Sequence, residues 1–122
     1  MFNVDGDTGD VICRQGDSGE ITFMDIPRDR NYLVYFSVYN QKRKIIFELQ
    51  GTPFEGTITF YLSPEDMDKL EVKVNDSAAT YYYGVKICVP EDDFEDTVLV
   101  ADKELGELNI MTVYPKIVEG TI

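Results

Sequence analysis

A chain of 122 residues is one domain's length, and with 43% hydrophobic residues it can bury a core without metal or disulfide staples. Its 11 basic residues stand against 23 acidic ones, and a net charge of −12 opposes binding to nucleic-acid phosphates and to anionic membrane surfaces. Having no His, no Trp and two Cys, it lacks the commonest general base and metal ligand, any Ser–His triad, and the makings of a disulfide scaffold or an all-cysteine zinc site.

Residues 1–10 read as a flexible acidic N-terminus ahead of a single domain over 11–122. No basic stretch followed by an apolar core marks a secretory leader, and no apolar run approaches the roughly 18 residues of a membrane span. The expected place of synthesis and first residence is therefore a cytoplasm. Asp5, Asp7 and Asp10 are spaced like the start of a calcium loop, whose hard carboxylate oxygens suit a hard cation. The pattern then fails, because Gly16 stands where such a loop closes with an acid. No metal is assigned to it.

From there the dominant signal is alternation with a period of two, which predicts strands. Val11 to Cys13 and Glu20 to Met24 flank Gln15 to Gly19, a run of turn formers. In Asn31 to Asn40, Val34, Phe36 and Val38 face one side, and Leu33, Tyr35, Ser37 and Tyr39 the other. A polar tip at 40–43 leads to Lys44 to Gln50, which resumes the alternation through Ile45, Phe47 and Leu49, so that the two runs read as a hairpin. Gly56 to Leu62 alternates Ile58, Phe60 and Leu62 against Thr57, Thr59 and Tyr61.

The period then changes for one short segment. Ser63 is a helix N-cap, Pro64 fits the first helical position, and Asp66 lies three residues after the cap. One short helical turn is expected over 63–70. Glu71 to Val74 is a candidate short strand. Thr80 to Pro90 is the longest strand, with Tyr81, Tyr83, Val85 and Ile87 inward and Tyr82, Gly84, Lys86 and Cys88 outward. Pro90 should end it ahead of an acidic loop at 91–96, whose Phe94 folds back on the core. Thr97 to Asp102 and Glu107 to Tyr114 should form a closing hairpin around 103–106. Eight or nine strands with one helical turn predict an all-β fold, an antiparallel two-layer β-sandwich, with a barrel as the alternative.

The sequence offers no catalytic, cofactor-binding or metal-binding residues. Pairs among 23 acids say nothing without geometry, and Cys13 and Cys88 read as reduced apolar fillers, with a single bridge as the alternative. The tyrosines carry more. Tyr35, Tyr39, Tyr61 and Tyr82 fall on outward faces, where they either stabilise a sheet through cross-strand pairs or form an interaction surface.

The order of four stretches resembles a known family. The turn and strand from Arg14 to Phe23, the strand and capped turn from Phe60 to Leu70, the strand from Thr80 to Ile87, and the pair Asp96 to Val98 with Gly106 to Ile110 carry it. Together they resemble the small Ig-like β-sandwich domains of tailed-bacteriophage and prophage virion proteins, such as the N-terminal domain of baseplate upper proteins. Gln15 is inserted in the first motif, and Ala79 and Gly84 depart from the third. The resemblance implies a non-enzymatic structural module of a tail, baseplate or head appendage, without cofactor. Its partners would be other virion proteins or a second copy of itself, with no nucleic acid and no membrane, and it would join the virion in the bacterial host cytoplasm. A carbohydrate- or cell-surface-binding sandwich and an acidic inhibitor of a host protein are the alternatives.

Overall fold

The computed structural model describes residues 2–91, 94–101 and 108–116. Among them the chain forms β1 (Phe2–Val4), β2 (Val11–Arg14), β3 (Gly19–Phe23), β4 (Leu33–Tyr39), β5 (Ile45–Gly51), β6 (Ile58–Leu62), α1 (Pro64–Asp68), β7 (Ala79–Glu91), β8 (Phe94–Ala101) and β9 (Asn109–Tyr114). The large sheet runs in the order β1-β2-β9-β7-β4-β5, with β8 also on β7, and β3 and β6 make a second, two-stranded sheet. The all-β, two-layer architecture is the one that the alternation demands.

The core lies between the layers. Val34, Phe36 and Val38 from β4 have no exposed surface, and Tyr81, Tyr83, Val85 and Ile87 from β7 are buried beside them. Ile58, Phe60 and Leu62 close on them from β6. The Phe36 ring sits 5.3 Å from Tyr83 and 5.6 Å from Phe60, while Phe23 lies 6.1 Å from Phe36. These spacings are those of aromatic pairs that gain from ring geometry beyond the area they bury.

Helix α1 has the expected cap. Ser63 Oγ accepts from the Asp66 N–H at 3.1 Å, and the Asp66 carboxylate accepts from the Ser63 N–H at 3.3 Å. This reciprocal box satisfies two of the donors that a helix start leaves bare. Met67 and Leu70, three residues apart, are fully buried on the core side.

Several expectations need correction. The large sheet is mixed, since β2 pairs in parallel with β9 from Val11 opposite Met111 to Arg14 opposite Tyr114. The N-terminal segment expected to be flexible and acidic supplies β1 (Phe2–Val4), paired antiparallel to β2. Its acids serve the backbone: Asp5 accepts from the Asp7 N–H at 2.8 Å, and Asp10 from the Ile110 N–H at 3.1 Å. Tyr83 Oη donates to the Gly9 carbonyl and ties this segment to β7. Residues 71–74 form no strand.

Pro90 does not end β7. The strand continues to Glu91 and turns back as β8, with Pro90 opposite Glu95 and Glu91 opposite Phe94. Past Cys88, the partner of Leu33, β4 no longer flanks it. A proline is tolerated where one edge of a strand lacks a neighbour. Nor, among the described residues, do β8 and β9 pair with each other as the expected closing hairpin. Both β8 and β9 pair antiparallel with β7, on Val85 to Glu91 and on Ala79 to Tyr83 respectively, so they follow one another along the same side of it. The expected turn at 103–106 and the side chain of Phe94 lie outside what is described.

Candidate functional site

The outer face of the large sheet carries the surface of interest. Register places Ile110 opposite Tyr82, Tyr82 opposite Tyr39, and Tyr39 opposite Ile45. Side chains directly opposite on one face touch, so these four residues form a continuous ridge across β9, β7, β4 and β5. Ile45 is 55% exposed and Ile110 36%. Ile45 belongs to this ridge because of a bulge. Val38 pairs with Phe47 but Tyr39 with Ile45, which leaves Ile46 extra and turns Ile45 outward instead of into the core.

Beside the ridge runs a trough. Ser37 lies opposite both Glu48 and Gly84, so the next row has a hydroxyl and a bare backbone at its centre. Ser37 is only 5% exposed although it points outward, because the taller rows flank it. Its Oγ donates to the Glu48 carboxylate at 2.6 Å. Leu108 folds over Gly84, and a Cβ at that glycine would meet its Cδ2 at 2.9 Å. The far wall is Tyr35, opposite Lys86 and Gln50. The hollow enclosed is about 550 Å³.

Two cations fix the walls. The Arg43 guanidinium sits 4.3 Å from the Tyr82 ring centre, and Lys86 Nζ 5.5 Å from that of Tyr35. Such contacts restrain exposed aromatic side chains and are worth about 0.5–1 kcal/mol each.

Of the four tyrosines expected to form an interaction surface, Tyr35, Tyr39 and Tyr82 come together here. Tyr61 does not: it is 57% exposed on β6, in the other layer, and faces away on the opposite side of the sandwich. Outwardness was legible from alternation, but which sheet a strand joins was not. Ile45 and Ile110 complete the ridge without having been singled out. Gly84 was the available signal, as a side-chain-free residue amid tyrosines marks a close approach.

Elsewhere the chemistry is subdued. A hollow of about 700 Å³ at one end of the sandwich is bordered by Gln41, Lys69, Lys73 and Tyr81. Tyr81 Oη donates to the Glu71 carbonyl at 2.5 Å, and burial together with the Glu71 charge raises its pKa. Cys13 and Cys88 are buried and form no disulfide, and burial pushes the Cys13 thiol up to about 12, away from thiolate chemistry. Among the described residues no group of three or more His, Cys, Asp or Glu could hold a metal ion, and no helix is long and apolar enough to cross a membrane. Compared with protein-family models and with curated proteins, the chain matches none.

Proposed function

We propose that this protein is a non-enzymatic structural module that works by assembling with other protein chains through the outer face of its large sheet. The ridge of Ile110, Tyr82, Tyr39 and Ile45 carries this reading. Tyrosine brings large, rigid contact area, and aromatic side chains are enriched where chains meet. Ile45 and Ile110 leave large apolar side chains exposed on this face, and contact with another chain would take them out of water. The resemblance to tailed-phage virion domains supports a place in a tail, baseplate or head appendage, entered in the bacterial host cytoplasm.

The test is co-assembly. The chain is co-expressed with the products of its adjacent reading frames, as wild type and as the double variant Tyr39→Ser/Tyr82→Ser. The variant should retain the far-UV strand signal and lose at least about tenfold in co-assembly, equivalent to about 1.4 kcal/mol. Undiminished co-assembly by a folded variant would overturn the proposal.

A further inference from the structure

We infer that the hollow beside the ridge receives an arginine side chain of the partner protein, its guanidinium held between the Tyr39 ring and the Glu48 carboxylate. The inference rests on reading this face as an interface and names the chemistry that the interface selects. The hollow has a volume of about 550 Å³, and its described lining includes one acid, Glu48, and one cation, Lys86. Clefts of this size hold ligand groups. Leu108, seated over Gly84, and Glu48 stand on either side of Ser37, because Ser37 lies opposite both Gly84 and Glu48. Glu48 is exposed on β5, the last strand of its sheet, where an approaching chain can reach it.

The carboxylate is positioned but not neutralised. Among the described residues its one partner is the Ser37 hydroxyl, which donates to it at 2.6 Å. Ser37 is only 5% exposed, so the hydroxyl is a fixed anchor that orients the acid and leaves its charge in place. The tyrosines show the complementary lack. The chain's own Arg43 lies over the Tyr82 ring and its own Lys86 over that of Tyr35, whereas no described cation lies over Tyr39. Tyr39 is two residues along β4 from Ser37, which makes it the diagonal neighbour of Glu48. Diagonal neighbours are about 7–8 Å apart, within reach of aromatic and long side chains.

A flat cation fits that gap. A guanidinium stacks on the Tyr39 ring and at the same time donates N–H groups to the Glu48 carboxylate. An ammonium has neither the plane nor the fork to do both. The methylene stem of the arginine then lies along Ile45, which lines the same hollow and is 55% exposed. The whole chain favours such a partner, because a net charge of −12 draws a basic surface toward it.

Titration of the isotope-labelled protein with N-acetylarginine methylamide, followed by the backbone amide signals, tests the site without needing the partner. The uncharged control is N-acetylcitrulline methylamide, which has nearly the same shape. The arginine probe should shift the amides of Tyr39, Ile45 and Glu48 saturably, and the citrulline probe should not. Glu48→Gln should weaken the arginine probe at least about fivefold. Glu55→Gln, which removes the same charge from the loop ahead of β6, should leave it unchanged. The inference is overturned if the arginine probe fails to shift those amides, if Glu48→Gln binds it as wild type does, or if both probes bind alike. If Tyr39→Ser/Tyr82→Ser loses the products of the adjacent frames but Glu48→Gln keeps them, the arginine contact fails and assembly through this face stands. If the probe binds through Glu48 while those products bind the double variant equally well, the proposed co-assembly fails and the arginine site stands.

Discussion

Neighbouring residues on β4 should respond to truncation with losses of very different size. Phe36 has no exposed surface, and its ring contacts Phe23 and Phe60 across the layers and Tyr83 on the neighbouring strand. Phe36→Ala removes a buried ring and leaves a cavity that two sheets cannot close, a cost of about 3–5 kcal/mol. Unfolding entropy of about 2.1 cal/mol/K per residue, over 122 residues, converts this to a melting point lower by about 12–20 °C. Tyr35, one residue earlier, faces outward against Lys86. Tyr35→Ala forfeits a half-exposed ring and one cation–π contact, about 1 kcal/mol or roughly 4 °C. Differential scanning calorimetry of the two variants, at concentrations low enough to keep the chain monomeric, compares them directly. Equal shifts, or a larger one for Tyr35→Ala, would show that β4 presents the opposite face to the core, and the outer-face site would fall with it.

Other perturbations probe separate features. Ser63→Ala breaks the capping box and should cost about 1 kcal/mol in urea-denaturation free energy, which Ser63→Asp should largely recover. Burial, helped by the Asp10 charge, pushes the Tyr83 hydroxyl from 10.0 up to about 12. A raised pKa in the folded state gives stability that is complete below pH 10 and lost as pH climbs from 10 to 12. After allowance for solvent screening this amounts to about 1–2 kcal/mol. Urea midpoints should fall across that window in wild type and less steeply in Tyr83→Phe, and parallel slopes would refute the assignment. Calcium at millimolar concentration, or a chelator, should move the melting point by less than about 1 °C, because ligand stabilisation requires a site and Asp5 and Asp10 already accept backbone N–H groups. A rise of several degrees would show that a cation outcompetes those hydrogen bonds.

Much of the fold could be read locally. The dyad pattern placed Val34, Phe36 and Val38 inside, along with Ile58, Phe60 and Leu62, because side-chain direction in a strand is a property of the backbone alone. The helix start was equally local, fixed by Ser63, Pro64 and Asp66. Partners were not legible, since pairing is a contact between distant segments. The parallel joining of β2 to β9 unites residues about a hundred positions apart, and no neighbouring residue announces it. β1 is three residues long, too short for any period to show. The bulge that turned Ile45 outward, and with it the length of the ridge, depends on how β5 registers on β4. Three of the four outward tyrosines met because β4 and β7 are neighbours, and Tyr61 was separated because β6 pairs with β3.

The parallel joining of β2 and β9 has a mechanical consequence. A pull applied ahead of β2 and beyond β9 drags the two strands past one another along their length. The rungs from Val11 opposite Met111 to Arg14 opposite Tyr114 are then loaded together in shear, whereas an antiparallel hairpin pulled from its ends peels one rung at a time. Tension along this axis therefore meets the sheet in its stiffest direction, a property suited to a part that must stay folded while the body around it is strained.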